Sequence, residues 1–217
     1  SAEVHQKIYD ATGQQILERY GMTETAMLVS NPYQGERRPN SVGFPLPGVE
    51  VRLEGSPAEI QVKGPNVFKG YWERPDENRA SFDDGWFCTG DIGALDSEGR
   101  VSYLGRVKDM LKVGGENVAA VEIESLLQTH PSVSIAQVIA VPDAKYVEVP
   151  AAYVELRPDC EATEKEVIDY CDGKIAKFKI PRYVRFISAS EWPMSATKIQ
   201  KFRLQDRFAE EQHAGSG

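Results

Sequence analysis

The chain has 217 residues, 41% of them hydrophobic, and a formal net charge of −8. This composition can form a substantial core and excludes a disordered chain. The negative charge argues against nucleic acid as the main partner, because nucleic-acid binding needs a basic face. No apolar run approaches the roughly 20 residues that cross a membrane, so no membrane span is predicted.

The three cysteines, Cys88, Cys160 and Cys171, are far apart and form no C-x-x-C pair. We therefore predict neither a disulfide framework nor a zinc site, and we expect a reducing, cytoplasmic setting. No charged-then-apolar leader opens the chain. Because the chain also begins without Met, we expect it to be a piece of a longer protein.

The first part of the chain is predicted to contain mainly strands and loops. Helical spacing predicts a helix over 3–12 that Gly13 ends, and Pro75 opens a short helix over 75–82. A loop rich in Pro and Gly is predicted over 31–48. Strands are predicted over 15–20, 49–53, 59–62, 91–95 and 101–104.

After Gly105, helical and strand patterns alternate. Thr163 with Glu166 indicates a capping box at the start of a helix. The sequence therefore predicts an α+β fold, with the β-rich end of a large domain over 1–105 and a small α+β domain over 106–217. The helices of the small domain are predicted over 122–128, 162–176 and 202–211, and its strands over 133–141, 149–156 and 181–187.

Tyr20-Gly21-Met22-Thr23-Glu24 stands where a predicted strand runs into a loop. A glycine lets the backbone approach a ligand closely, and a threonine hydroxyl can bind a phosphate oxygen. A glutamate offers the hard oxygen that Mg²⁺ prefers. The alternative is an ordinary turn with a solvated glutamate.

Two further stretches hold polar residues beside glycines. The predicted loop Trp86–Asp91 ends in a carboxylate that can accept two hydrogen bonds from a ribose diol, although an acid after a glycine is commonplace. In 105–117, the guanidinium of Arg106 can donate two hydrogen bonds to ribose oxygens or to a phosphate. Gly114 and Gly115 can form one side of a narrow passage for a thin ligand. The alternative is a linker followed by a hairpin turn.

A fourth loop, 193–201, carries Lys198 among small residues. A lysine there can stabilise charge that builds on a phosphoryl or carboxylate oxygen, and the alternative is a solvated lysine. The chain has no G-x-S-x-G motif and few histidines, so a Ser-His-Asp hydrolase is poorly supported.

Taken in this order, the four motifs resemble the adenylate-forming superfamily of acyl-CoA synthetases, adenylation domains and luciferases. The resemblance extends from Tyr20 to Lys201, with further matches over Glu59–Trp72 and at Glu122-Ile123-Glu124. It implies that a carboxylate attacks the α-phosphorus of MgATP to give acyl-AMP and pyrophosphate, after which the CoA thiol displaces AMP. It also implies that the small C-terminal domain is mobile and swings between the two steps.

The resemblance also implies roles for residues of the first domain. Thr23 would meet the α-phosphate, Glu24 would bind Mg²⁺, and Asp91 and Arg106 would hold the ribose hydroxyls. The residues with implied nucleotide contacts are Tyr20, Gly21, Met22, Thr23, Asp91 and Arg106.

In the small domain, Lys198 would bridge the carboxylate and the α-phosphate. Lys108 occupies the hinge position. Lys112 would assist thioester formation, and Gly114 and Gly115 would line the passage for CoA. The family usually has a glycine just before the catalytic lysine; here Thr197 stands there and the loop is one residue shorter.

The stretches 18–24 and 63–72 resemble malonyl-CoA synthetases in particular. Arg19 could pair with a second substrate carboxylate, or it could instead form a salt bridge at the strand end. The acid is thus a fatty acid or a short dicarboxylate such as malonate, and the oligomeric state is not predicted.

The resemblance leaves two other functions open: an enzyme that loads a carrier protein, and a non-catalytic binding module that kept the fold. The phosphate-binding loop that lies upstream in the family is absent from the sequence. We therefore expect no catalysis by this chain alone.

Overall fold

The computed structural model describes residues 2–196 and 198–214. It divides into two compact units between Lys108 and Asp109, close to the boundary that the sequence predicts at 105/106. The functional roles assigned to the two parts stay predictions. Within the described residues, no helix combines the length and the apolar character that a membrane crossing requires.

The first unit is built mainly from antiparallel strands. Helix α1 spans Ala2–Thr12 and helix α2 spans Pro75–Ser81, with the proline in the first turn as predicted. The strands are β1 (Arg19–Met22), β2 (Ala26–Ser30), β3 (Phe44–Pro45), β4 (Glu50–Glu54), β5 (Glu59–Lys63), β6 (Phe82–Asp83), β7 (Trp86–Leu95) and β8 (Val101–Arg106).

These strands form two sheets around one core. One sheet has the order β1-β2-β3, and the other has the order β4-β5-β7-β6 with β8 paired to β7. Both sheets contribute apolar side chains to a shared cluster, whose burial stabilises the unit. Its buried members are Tyr20, Leu28, Val29, Ile60, Val62, Phe87 and Val101.

The structure corrects three predictions in this unit. The predicted loop over 31–48 contains the two-residue strand β3, which pairs with β2. The predicted strand over 15–20 begins only at Arg19. The predicted loop Trp86–Asp91 is the first half of the long strand β7. Phe87, Thr89 and Asp91 are buried and alternate with half-buried neighbours, which is the periodicity of a strand. The loop was predicted because glycine is typical of loops, and Gly90 does have a positive φ of 70°.

Gly21 is required by the packing of β1 against β2. A Cβ atom at this position would lie 2.1 Å from the carbonyl oxygen of Ala26. We expect Gly21→Ala to lower the free energy of unfolding by about 2–3 kcal/mol, because neither backbone segment can move aside easily. Calorimetry or urea unfolding measures this change.

The matched control is Gly99→Ala. Gly99 has a positive φ of 82°, and nothing lies within 4 Å of the place that a Cβ atom would take there. Only backbone strain of about 1 kcal/mol is expected there. Equal losses in the two variants would contradict the steric argument.

The second unit contains three α-helices and a mixed sheet among its described residues. The helices are α3 (Ala120–Gln128), α4 (Glu164–Tyr170) and α5 (Lys201–Ala214). A 3₁₀ turn, Val107–Asp109, crosses the boundary between the units. The strands are β9 (Met110–Val113), β10 (Glu116–Ala119), β11 (Val133–Asp143), β12 (Val147–Leu156), β13 (Tyr183–Phe186), β14 (Met194–Ser195) and β15 (Lys198–Ile199).

The main sheet of this unit is covered on both faces. Its order is β10-β9-β12-β11, with β13 parallel to β12. In β12, Ala152 and Val154 join the core beneath α3 and α4, whereas Ala151 and Tyr153 join the core beneath α5. Strands buried on both faces are apolar throughout, which explains why the sequence of β11 and β12 predicts them so clearly.

The capping box of α4 is confirmed, with Thr163 and Glu166 each bonding the other's backbone. The helix is shorter than the predicted 162–176, because it ends at Tyr170. Gly173, at a φ of 71°, takes the left-handed conformation that follows many helix ends. The predicted α+β class is confirmed.

Cys171, which follows α4, is fully buried, and burial raises the pKa of its thiol to about 11. At pH 8 we expect Cys171 to react with iodoacetamide at least about tenfold more slowly than half-buried Cys160, because only the thiolate is nucleophilic. Mass spectrometry of native and urea-unfolded protein measures this. Comparable native rates would contradict it.

Candidate active site

The first cluster of predicted site residues joins three strands of the first unit. The hydroxyl of Tyr20 in β1 donates to Oδ2 of Asp91 in β7 over 2.7 Å. Nε of Arg106, at the end of β8, donates to Oδ1 of the same carboxylate over 3.0 Å. Asp91 and Arg106 are direct cross-strand partners. The register of β7 and β8 therefore brings together residues that are 15 positions apart in the chain.

The side chain of Asp91 is 6% exposed, whereas that of Arg106 is 39% exposed. The hydrogen bonds from Tyr20 and Arg106 compensate this carboxylate for its loss of water. Burial raises the pKa of the Tyr20 hydroxyl far above its ordinary value, and the neighbouring Asp91 raises it further, although Thr89 opposes this. Tyr20 therefore remains a hydrogen-bond donor at every physiological pH.

Glu24 lies in the turn between β1 and β2, next to exposed Thr23. The Tyr71 hydroxyl donates to Oε1 of Glu24 over 3.0 Å, and the Phe68 N–H donates to the Glu24 carbonyl over 2.8 Å. Both the backbone and the carboxylate of Glu24 are thus fixed. Tyr71 lies in the stretch Glu59–Trp72 that matches the adenylate-forming superfamily. Its hydrogen bond to Glu24 is seen only in the structure.

Arg19 and Tyr20 are consecutive residues of β1. Because consecutive residues of a strand point to opposite faces, Arg19 is directed away from the side on which Tyr20 meets Asp91. Arg19 is exposed. Gly21 and Met22 complete β1 and are half-buried.

In the second unit, Lys112, Gly114 and Gly115 lie in one β-hairpin. Lys112 is an exposed residue of β9 whose backbone N–H donates to Glu148 over 2.7 Å. Gly114 and Gly115, with φ angles of 59° and 92°, form the turn between β9 and β10. Two successive positive φ angles are typical of a type I′ hairpin, so the hairpin interpretation of this stretch is confirmed.

A groove of about 540 Å³ lies in the same unit beside this hairpin. Its walls include Tyr146, Phe178, Lys177 and Arg182. The Tyr146 carbonyl accepts a hydrogen bond of 2.8 Å from Gly114 N–H, which places the groove next to the glycine turn. The groove combines aromatic faces with two cationic side chains and the carboxylate of Asp172, and Arg182 is paired with Asp143 over 3.0 Å. Sequence reasoning missed the groove because its walls come from separate segments.

Lys198 is an exposed residue of β15, where it pairs with Ser195 of β14. Ala196 has a φ of 51°, in the region that favours glycine. Thr197 lies outside the described residues, so its effect on the loop stays a prediction. Lys108 is exposed in the 3₁₀ turn, directly before the division between the units.

Two family models match the chain. The model described as AMP-binding enzyme matches residues 1–72, and the model described as AMP-binding enzyme C-terminal domain matches residues 122–198. Together they cover more than half of the chain. The chain belongs to the AMP-binding enzyme family. The resemblance to the adenylate-forming superfamily is thereby confirmed.

Individual relatives of the chain are CoA ligases. An oxalate–CoA ligase of Arabidopsis thaliana is 37% identical over 94% of the chain and 42% of its own length. A long-chain-fatty-acid–CoA ligase of Escherichia coli is 38% identical over 90% of the chain and 36% of its own length. The chain thus spans about two fifths of the relatives that it matches.

Solved structures agree with these sequence matches. The ATP-bound MatB of Rhodopseudomonas palustris is 42% identical, with a TM-score of 0.89 over 95% of the chain and 43% of that protein. An anthranilate–CoA ligase in complex with anthranoyl-AMP is 33% identical, with a TM-score of 0.85 over 95% of the chain and 42% of that protein.

Proposed function

We propose that the complete enzyme containing this chain is an AMP-forming acid–thiol ligase. It activates a carboxylic acid with ATP and then transfers the acyl group to CoA. The observation that carries the proposal is the buried Asp91 carboxylate, which both Tyr20 and Arg106 bond, in a member of the AMP-binding enzyme family.

In this proposal, Asp91 and Arg106 hold the ribose of the nucleotide. Two of the roughly four acceptor sites of the Asp91 carboxylate are taken by Tyr20 and Arg106, which leaves others for ribose hydroxyls. Arg106 is exposed enough to reach a ribose or phosphate oxygen. Thr23, exposed in the adjacent turn, contacts the α-phosphate, with Gly21 and Met22 forming the strand beside it.

Glu24 suits a magnesium ion that ATP brings with it. Its carboxylate is half-buried and oriented by the Tyr71 hydroxyl on one oxygen, so the other oxygen can meet the ion. The described residues contain no group of three metal-ligating side chains, which fits Mg²⁺, since this ion is often held by one or two carboxylates together with phosphates and water. When bound, Mg²⁺ neutralises charge on the phosphates.

Lys198 supplies the mobile positive charge of the first half-reaction. It stabilises the negative charge shared by the attacking carboxylate and the α-phosphate. Its exposed position at a narrow hairpin leaves the ammonium able to enter a nucleotide site. Lys108, between the two units, is the hinge in this proposal.

CoA is the acceptor in the second half-reaction. The groove beside Gly114 offers aromatic faces from Tyr146 and Phe178 and positive charge from Lys177 and Arg182, which suits the nucleotide part of CoA. The glycine turn leaves room for the thin pantetheine arm, and exposed Lys112 assists this step.

The acid is a fatty acid or a short dicarboxylate such as malonate. Relatives act on different acids, including oxalate and long-chain fatty acids. Arg19 is the candidate partner of a second carboxylate, which in this proposal lies on the face of β1 opposite Tyr20. The free cysteines support a reducing, cytoplasmic setting.

A panel of carboxylic acids, assayed with the complete enzyme by ATP–pyrophosphate exchange, tests the proposal. We expect acid-dependent exchange, CoA-dependent release of AMP, and no turnover by this chain alone. Exchange without CoA-dependent release would favour a carrier-protein loading enzyme, and no exchange with any acid would favour a non-catalytic binding module. Arg19→Leu should abolish use of a dicarboxylate only; unchanged specificity would remove that role.

A further inference from the structure

Lys201 and Glu124 form the most secluded lysine–glutamate ion pair among the described residues of the second unit. Nζ of Lys201 lies 2.6 Å from Oε1 of Glu124, and the two side chains are only 19% and 10% exposed. Groups this poorly hydrated depend on each other, because either charge alone would be unfavourable at such a position.

The pair crosses the edge of the main sheet. Glu124 belongs to α3 and Lys201 opens α5, and the two helices cover different faces of the sheet. Oε1 of Glu124 also accepts the N–H of Val138, 2.8 Å away in strand β11, which stands at the end of the strand order. Glu124 therefore ties the start of α5 to a fixed strand.

Helix stability does not explain a lysine at this position. A cation in the first turn opposes the helix dipole. What the pair fixes is the residue at which α5 begins. Lys198 lies three residues earlier in the chain, so its position depends on that point.

The Lys198 hairpin is also fixed at its other end. Trp192 Nε1 donates to Oε2 of Glu155 over 2.6 Å. Gln200 N–H donates to the Pro193 carbonyl over 2.9 Å and closes the base of the hairpin. The base of the hairpin that carries Lys198 is therefore held from both sides.

We propose that Lys201 is a positioning residue that acts through Glu124 to place Lys198 for acyl-adenylate formation, an inference that rests on the proposed function. A displacement of about 1 Å can lower a rate about 100-fold. The pair does not act on CoA transfer, because that step does not use Lys198.

The test measures the rates of both half-reactions in the complete enzyme that carries Lys201→Met. Methionine keeps an apolar side chain of similar length and removes the positive charge. We expect acyl-adenylate formation to fall by about 10- to 100-fold, whereas thioester formation from supplied acyl-AMP changes by less than about twofold. Lys201→Arg should restore most of the adenylation rate, and hydrogen exchange over 194–200 should be faster in Lys201→Met.

Two further variants make the result specific. Lys179→Met breaks another half-buried pair, in which Nζ of Lys179 lies 2.7 Å from Glu122 in α3, the helix that also carries Glu124. This variant should leave the rate of adenylation within about twofold of its starting value. If Lys201→Met does not fold, Glu124→Gln keeps an acceptor for Val138 and should give the same separation of the half-reactions.

A double-mutant cycle decides whether Lys201 acts through Lys198. In a Lys198→Ala background, adding Lys201→Met should lower adenylation by less than about twofold. Additive losses of adenylation rate in the double variant, or equal losses in both half-reactions, would overturn the inference. It would also be overturned if Lys201→Met kept the full adenylation rate while Lys198→Ala lost it. A fully active Lys198→Ala would instead refute the proposed role of Lys198 and, with it, this inference.

Discussion

Lys198→Ala in the complete enzyme is expected to lower the rate of acyl-adenylate formation by about 100- to 1,000-fold. This is the usual effect of removing one preorganised group that stabilises charge in a transition state. Lys198 is exposed, so its removal should leave the fold and the melting temperature unchanged. ATP–pyrophosphate exchange at saturating acid measures the rate.

Thioester formation from supplied acyl-AMP is the internal control for that variant. It should proceed at close to the original rate, because the lysine stabilises charge on the α-phosphate only in the first step. Lys165→Ala, at another exposed lysine of the same unit, should affect neither step. Equal loss in both half-reactions would show that Lys198 does not have the role proposed for it.

Asp91→Ala is expected to lower the free energy of unfolding by about 3 kcal/mol. The substitution leaves the Tyr20 hydroxyl buried without its acceptor and removes one hydrogen-bond acceptor of Arg106. Solvent screening at half-exposed Arg106 moderates the loss. Urea unfolding of the variant and the parent measures the difference.

Nucleotide affinity separates the structural contribution of Asp91 from its binding contribution. Asp91→Asn keeps an acceptor for Tyr20, so it should lose less stability than Asp91→Ala. Both variants of the complete enzyme should bind ATP at least about tenfold more weakly, because the charged acceptor of the ribose hydroxyls is gone. Unchanged ATP affinity in a folded Asp91→Asn enzyme would refute the ribose contact.

Local patterns predicted the parts of the fold that depend on neighbouring residues. The apolar strands β11 and β12 and the capping box of Thr163 and Glu166 follow from spacing alone. The second half of strand β7, over 91–95, is predicted correctly. Its first half is predicted as a loop because Gly90 and Asp91 are typical of loops, while the burial of Thr89 between strands is a tertiary effect.

The candidate site shows the same distinction. Motifs pointed to Tyr20, Asp91 and Arg106 one at a time, and the cross-strand register explains why they touch. The partners Tyr71 of Glu24 and Lys201 of Glu124 could not be predicted, because a chain separation of 47 residues in the first pair carries no local signal. Only folded strands and helices bring such pairs together.

The division of the apolar cores between two units has a consequence for any measurement of stability. Each unit can melt as its own cooperative transition, so one melting temperature does not describe the chain. Trp86 lies in the first unit and Trp192 in the second. Tryptophan fluorescence therefore mixes two signals, and a calorimetric trace resolved into two peaks is needed to assign each substitution to its own half of the molecule.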